Sequence, residues 1–258
     1  MTFSWGRLAA VAIKELRELR RNRFIVATMV VLPVIFLIVP ISDLFRTAAP
    51  AAERAQVGVS LLLLLIVPVV VPAAIAAYSV VGEREQGTLE PVLTTPVLRE
   101  ELLLGKAVAA IVPSVVIAYL LFAIVVIAVH IGASPVVVSA VWQAPNFLAQ
   151  ALFAPLLAGW SIWVGIAISA RSSDVRVAQQ LGTLASLPAL GVTSLISFKI
   201  LEPSVALAVI LAAILVALNV IGWRLATAVF DRERLITGAK PVRRTVADAL
   251  TAATPAGT

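Results

Sequence analysis

Long apolar runs separated by short charged clusters dominate the chain. Residues 24–41 lie between Arg23 and Asp43, and a second run within 57–82 lies between Arg54 and Glu83. From 107 to 170 there is no Asp, Glu, Lys or Arg. That is too long for one bilayer-crossing helix, which takes about 20 residues. Gly, Ser and Pro between 132 and 145 divide it into a third and a fourth span. Residues 177–198 and 203–230 complete six predicted spans. Ahead of the first, Trp5, Leu8, Ala9, Ala12, Leu16 and Leu19 recur on one helical face, with Arg7, Lys14, Arg17, Glu18 and Arg21 opposite. This pattern predicts an amphipathic helix over 3–23 lying along the membrane surface. That long amphipathic stretch, with no small-residue cleavage site, argues against a cleavable signal. The expected fold is all-α: a polytopic membrane protein with six transmembrane helices and an N-terminal amphipathic interfacial helix. Residues 1–230 would form a single transmembrane domain, and 231–258 a flexible cytoplasmic tail.

Composition sharpens the picture. Of 258 residues, 61% are hydrophobic and only 13% charged, and the mean hydropathy is +1.05. Such a chain has too few polar side chains to cover a soluble globule, which excludes a soluble enzyme, a disordered chain and a fibrous repeat. Cysteine is absent, and His130 is the only histidine. A thiolate or histidine-cluster metal site and a triad drawing on several histidines are thereby excluded. The net charge is +6. Most basic residues flank apolar runs, so anionic lipid headgroups are the expected counterpart and nucleic acid is not. Seventeen of the 20 Lys and Arg lie in the N-terminal arm, the loops after the second and fourth spans, and the C-terminal end. Only Arg46, Arg54 and Lys199 lie in the other loops. This bias puts both termini in the cytoplasm of a multi-pass plasma-membrane protein.

The loop over 82–106 carries the most distinctive sequence, with Glu83-Arg84-Glu85 followed by Gly87-Thr88-Leu89-Glu90-Pro91. Gly87 permits a tight turn where the second span ends. Thr88 is a candidate N-cap, Pro91 fits the first helical turn, and Pro96 ends the helix. A short cytoplasmic helix with an apolar patch at Val92 and Leu93, rigidly joined to two spans, is expected. Arg99-Glu100-Glu101 and Lys106 then lead into the third span.

The run E-R-E-x-G-T-L-E-x-x-L-x-T-P followed by R-x-E-L-x-x-G-K resembles the first cytoplasmic loop of type-2 ATP-binding-cassette (ABC) export permeases. Lys14-Glu15-Leu16-Arg17 through Arg23 is similar to the same family's basic N-terminal helix. The resemblance implies a permease subunit that pairs with a second, identical or homologous permease. It also implies two cytoplasmic ABC ATPase subunits, with ATP and Mg bound there and no cofactor in this chain. By the same resemblance the loop forms a coupling helix seated on the ATPase, with Glu83, Arg84, Glu85, Gly87, Thr88, Leu89 and Glu90 as the coupling residues. Pro91 stands where the family pattern is open. The chain itself has no P-loop: Gly82 and Gly87 have the spacing, but Thr88 stands where lysine is required. A non-catalytic subunit is therefore expected.

Candidates for a translocation path are weaker. Gln179, Thr183, Ser186, Thr193, Ser194 and Ser197 make the fifth span the most polar. They fit either a path at the dimer axis or tight helix packing. Trp160 and Trp163 fit an aromatic substrate, membrane-interface anchoring or packing. Asn219 fits packing, and His130 a place near the outer end of the third span. Pro68 and Pro72 are expected to kink the second span. No acidic residue lies deep in any predicted span, which argues against an ion-gradient pump. A hydrophobic or amphipathic substrate, drug or lipid-like, is expected. Sodium export, a membrane scaffold and a passive channel remain alternatives.

Overall fold

The computed structural model describes residues 3–46, 50–85, 87, 97–198, 200–202 and 204–229. All regular structure among them is helical. Helix α1 (Trp5–Arg21) is followed after Asn22 by α2 (Arg23–Arg46). The second span comprises α3 (Pro50–Leu64) and α4 (Val67–Ala77), then a π-helical turn over Tyr78–Gly82 and a last turn, Glu83–Glu85. Then come α5 (Arg99–Gly132), a short α6 (Pro135–Val141), α7 (Ala144–Arg171) and α8 (Val175–Gly182). A 3-10 turn over Thr183–Ser186, α9 (Leu187–Ser197) and α10 (Val205–Val229) complete the order.

Five helical stretches are long and apolar enough to cross a membrane: Ile25–Phe45, Val57–Glu85, Arg99–Gly132, Ala144–Arg171 and Val205–Ala228. The predicted fifth span does not appear as one continuous α-helix. Its backbone stays helical from Val175 to Ser197 but tightens into the 3-10 turn at Thr183–Ser186. Local chemistry accounts for the break. Gly182 precedes it, Pro188 follows it, and the hydroxyls of Thr183 and Ser186 donate to the carbonyls of Gln180 and Thr183. Such bonds compete with the regular ladder.

The bundle is built around α4 and α7, which pack against each other, with α10 on the far side of α7. Their buried side chains interlock with α5 in one apolar cluster containing Val71, Ile75, Val80, Leu103, Ala110, Ile162 and Ile166. The kink in the second span falls at Leu65 and Ile66, just ahead of Pro68. There Leu65 N–H turns back to the Leu62 carbonyl and releases the carbonyl of Leu61. Gln150 of α7 supplies the missing donor at 2.6 Å, as a buried carbonyl requires. The expected break between the third and fourth spans is filled by α6, which starts at Pro135 behind a Ser134 N-cap. Asn219 also packs as expected, donating to the carbonyls of Leu156 and Leu215.

Candidate functional site

One end of the bundle collects the charged residues. Helix α1 lies against the first turns of α5, and the match to its amphipathic pattern is partial. Leu8 and Ala12 are buried, whereas Trp5 and Leu16 of the same predicted face are exposed. Gly105 permits the close approach: a Cβ there would sit 2.5 Å from Val11 Cγ1 and 3.2 Å from the Leu8 carbonyl. The glycine of the R-x-E-L-x-x-G-K motif is thus a helix-contact position.

Two ionic clusters hold α1 in place. In the first, the Arg7 guanidinium donates through Nε and Nη2 to Glu101 at 2.8 and 2.7 Å. The fully buried Glu101 also accepts from Ser4 N–H at 2.6 Å and Leu98 N–H at 2.9 Å. The Leu98 bond caps the start of α5, as glutamate at this position does in a capping box. In the second, buried Lys106 donates to Glu83 at 2.7 Å and to Glu15 at 3.0 Å. Lys14 reaches Glu15, Glu18 and Glu83 at 3.2, 3.1 and 3.4 Å. Burial favours the neutral form of Glu15, but the ammonium charges of Lys106 and Lys14 outweigh it and hold the carboxyl below its ordinary range. Burial also opposes the charge on Lys14, and the carboxylates of Glu15, Glu83 and Glu18 overcome it, raising its pKa. Carboxylate oxygens of Glu15, Glu18 and Glu83 lie within 4.8 Å of one another, a spacing that suits a metal ion. The Lys14 ammonium already touches all three, so the geometry is that of an ion-pair network.

Glu83, Arg84 and Glu85 each reach a different element. Glu83 joins Lys106 of α5 and Lys14 of α1. Arg84 donates to the carbonyls of Ser172 and Ala170 at 3.3 and 3.4 Å, placing a cation at the negative end of α7. Glu85 accepts from Val175 N–H at 3.3 Å, placing a carboxylate at the positive end of α8. Just before them, the π-turn leaves the N–H groups of Val80 and Val81 directed at Ser169 Oγ of α7, at 3.2 and 3.1 Å. The same hydroxyl donates to the Ala77 carbonyl at 3.0 Å. Gly87 then turns the chain with φ +68°, a conformation glycine adopts at little cost. Thr88, Leu89 and Glu90 lie outside the described residues, as do the predicted coupling helix, Pro91 and Pro96. Sequence reasoning missed Arg7, Glu101 and Ser169 as members of this junction. Glu101 carries a local cue, a glutamate three residues after the helix cap, whereas nothing local marks Arg7 or Ser169.

A cavity of about 380 Å³ opens beside the junction. The three glutamates, Arg21 and Lys106 line its polar side, and Ile25, Ile75, Ala109 and Ile162 its apolar side.

The candidate path residues do not converge on one cavity. Gln179 and Thr183 line a side groove against Thr28 and Val31 of α2 and Val70 and Ala73 of α4, and Gln179 also hydrogen-bonds Tyr78. Ser186 and Thr193 are buried, and Thr193 donates to the Ala189 carbonyl of its own helix. Ser194 is exposed. Ser197 ends α9, and its side chain is outside the described set. Trp160 donates to the Ala185 carbonyl at 3.1 Å, and Trp163 meets Trp223 edge to face at 5.1 Å. His130 is exposed near the end of α5 away from the charged cluster.

Several apolar helices of membrane-crossing length, gathered round a buried core, define a multi-pass α-helical membrane protein. The family model described as ABC-2 family transporter protein matches residues 9–204, and the chain belongs to this family of ABC transporter permeases. No curated protein gives a significant match. The family's members are membrane transport components, generally non-catalytic, that associate with an ABC ATPase.

Proposed function

We infer that this chain is the permease subunit of an ABC exporter that couples ATP hydrolysis on a partner to movement of a hydrophobic or amphipathic substrate, drug or lipid-like. In this reading the chain crosses the plasma membrane six times. The interrupted helix from Val175 to Ser197 is the fifth crossing, and both termini are cytoplasmic. Two permeases, identical or homologous, face each other over two ATPase subunits that carry ATP and Mg. Residues 82–106 are the coupling segment, with Glu83, Arg84, Glu85, Gly87, Thr88, Leu89 and Glu90 at its base and tip. The face of Gln179, Thr183 and Ser194 turns towards the path.

The observation that carries this reading is the fan of contacts at Glu83, Arg84 and Glu85. A loop displaced by an ATPase would pull at once on α1, on the start of α5, on the end of α7 and on the start of α8. A shift of one rigid junction would then tilt several spans together, as alternating access between inward- and outward-open states requires.

The test is co-purification of the chain with its ATPase from membranes, followed by ATPase measurement in lipid. The native chain should stimulate hydrolysis. Glu83→Gln and Glu90→Gln should leave the complex assembled and remove most of the stimulation. An intact complex whose hydrolysis ignores both substitutions would refute the coupling role.

A further inference from the structure

A groove of about 480 Å³ runs down the flank of the bundle between α7, α8 and α10. That volume lies within the range of about 300–1,000 Å³ usual for ligand sites. Trp160, Trp163, Val177, Leu181 and Leu225 form its apolar walls, and Arg171 lines one end. Val177, Leu181 and Leu225 are exposed, so the groove opens sideways.

Its dimensions match one leaflet. Eleven residues of continuous helix separate Trp160 from Arg171, about 16 Å at 1.5 Å per residue. That is about half of a hydrocarbon core of about 30 Å. With Arg171 at headgroup level, the Trp160 end of the groove reaches the bilayer midplane. The 3-10 turn in the fifth segment helps shape that deep end, because it presents the Ala185 carbonyl to the Trp160 indole N–H. The ring is thereby held with its polar edge satisfied at a depth where tryptophan is unusual.

Among the described residues its mouth carries more basic than acidic groups. Arg84 already serves the last carbonyls of α7, so Arg171 is not needed there and is exposed. Arg176 and Arg224 are also exposed, each adjoining a lining residue, Val177 or Leu225. Among the described residues, none of these three arginines forms a salt bridge. Of the nearby acids, Asp174 caps the Arg176 N–H and Glu85 accepts from Val175 N–H. A basic mouth at the membrane surface above an apolar slot of leaflet depth is complementary to an anionic amphiphile.

We propose that this groove is a binding site for an anionic phospholipid of the leaflet at the charged end. The headgroup phosphate lies against Arg171, and one acyl chain runs along Leu181 and Leu225 to Trp160. The site is independent of the transport reading: it requires only that the bundle sits in a bilayer.

The experiment uses the full chain in lipid nanodiscs with Trp5→Phe and Trp142→Phe. Trp160, Trp163 and Trp223 then supply the tryptophan emission. Brominated-chain phosphatidylglycerol or brominated-chain phosphatidylcholine is included at equal low mole fractions, and quenching is compared. The anionic lipid should quench several-fold more effectively at equal fraction. Arg171→Gln should reduce that preference about fivefold, the effect of one basic residue near a membrane surface. Arg17→Gln, at an exposed position of α1 outside the groove lining, should leave it unchanged. Val177→Phe, which partly fills the slot without touching the charges, should lower quenching by the anionic lipid while helicity stays constant. Equal quenching by both lipids, or a preference unaffected by both Arg171→Gln and Val177→Phe, would overturn the proposal. So would displacement of the brominated lipid by water-soluble glycerol phosphate, because the headgroup alone would then account for binding.

Discussion

The two ends of the bundle are held together by different physics. At the charged end, side chains of α1, α5 and the Glu83–Glu85 turn meet one another and the backbone at the end of α7 through directional bonds: Arg7 to Glu101, Lys106 to Glu83 and Glu15, Arg84 to the Ser172 carbonyl. At the other end, Leu44, Val57, Leu61, Leu64, Val125, Val129, Val137 and Val141 form a cluster of apolar contacts closed over by α6. Polar links there are fewer and carry no ion pair among the described residues: Gln150 donates to the Leu61 carbonyl, Ser60 to Asp43 and Asn146 to the Ala140 carbonyl. Apolar packing is non-directional and tolerates small slides, whereas buried ion pairs fix relative orientation and lose heavily when one partner is displaced. The contrast marks the charged end as the place where the relative orientation of elements is fixed most tightly.

The comparison is broken most severely at Lys106. Lys106→Met removes the buried cation shared by Glu83 and Glu15, leaving them only the more exposed Lys14, and should cost about 3 kcal/mol. Thermal unfolding in detergent measures this, and adding Glu83→Gln should recover part of the loss. Leu61→Ala attacks the opposite end and should cost about 2–4 kcal/mol through the cavity it opens. Its effect should not vary with salt or pH, which separates the two kinds of contact in one titration series. Gly105→Ala should cost about 1–3 kcal/mol by overpacking against Val11. The double variant with Val11→Ala should restore only part of it, since it removes Cγ1 at 2.5 Å but keeps the Val11 Cβ at 2.7 Å.

The smallest effect concerns pH. The Glu15 carboxyl titrates below its ordinary value of 4.5 in the folded protein. Its contribution to stability is therefore complete above that value and is lost as pH falls through the lower folded value. The difference in unfolding midpoint between the native chain and Glu15→Gln should be constant from about pH 7 to about pH 5 and should shrink on further acidification.

Five apolar spans and the helix over Trp5–Arg21 were legible in the linear pattern, because apolar run length and 3.6-residue periodicity are local properties. The kink near Pro68 followed from proline's missing N–H. The break in the fifth segment was harder to read. Gly182, Pro188 and the hydroxyls of Thr183 and Ser186 each weaken a helix slightly, and only together do they tighten it into a 3-10 turn. The candidate path residues cover a broad arc of the helix, and packing buries the side that carries Ser186 and Thr193 while Thr183 and Ser194 stay exposed.

By itself, the chain's chemistry determined that it is a helical membrane protein and that Glu83-Arg84-Glu85 terminates a span. Hydrophobicity and charge act over a few residues and need no partner to be recognised. Only the tertiary structure decided what those three side chains hold. Their partners lie between 23 and 90 positions away in sequence, and no local pattern specifies which helix end will be brought within reach. Packing of α4 against α7 and of α1 on Gly105 settles that geometry, and with it which charges meet in a buried junction and which stay exposed.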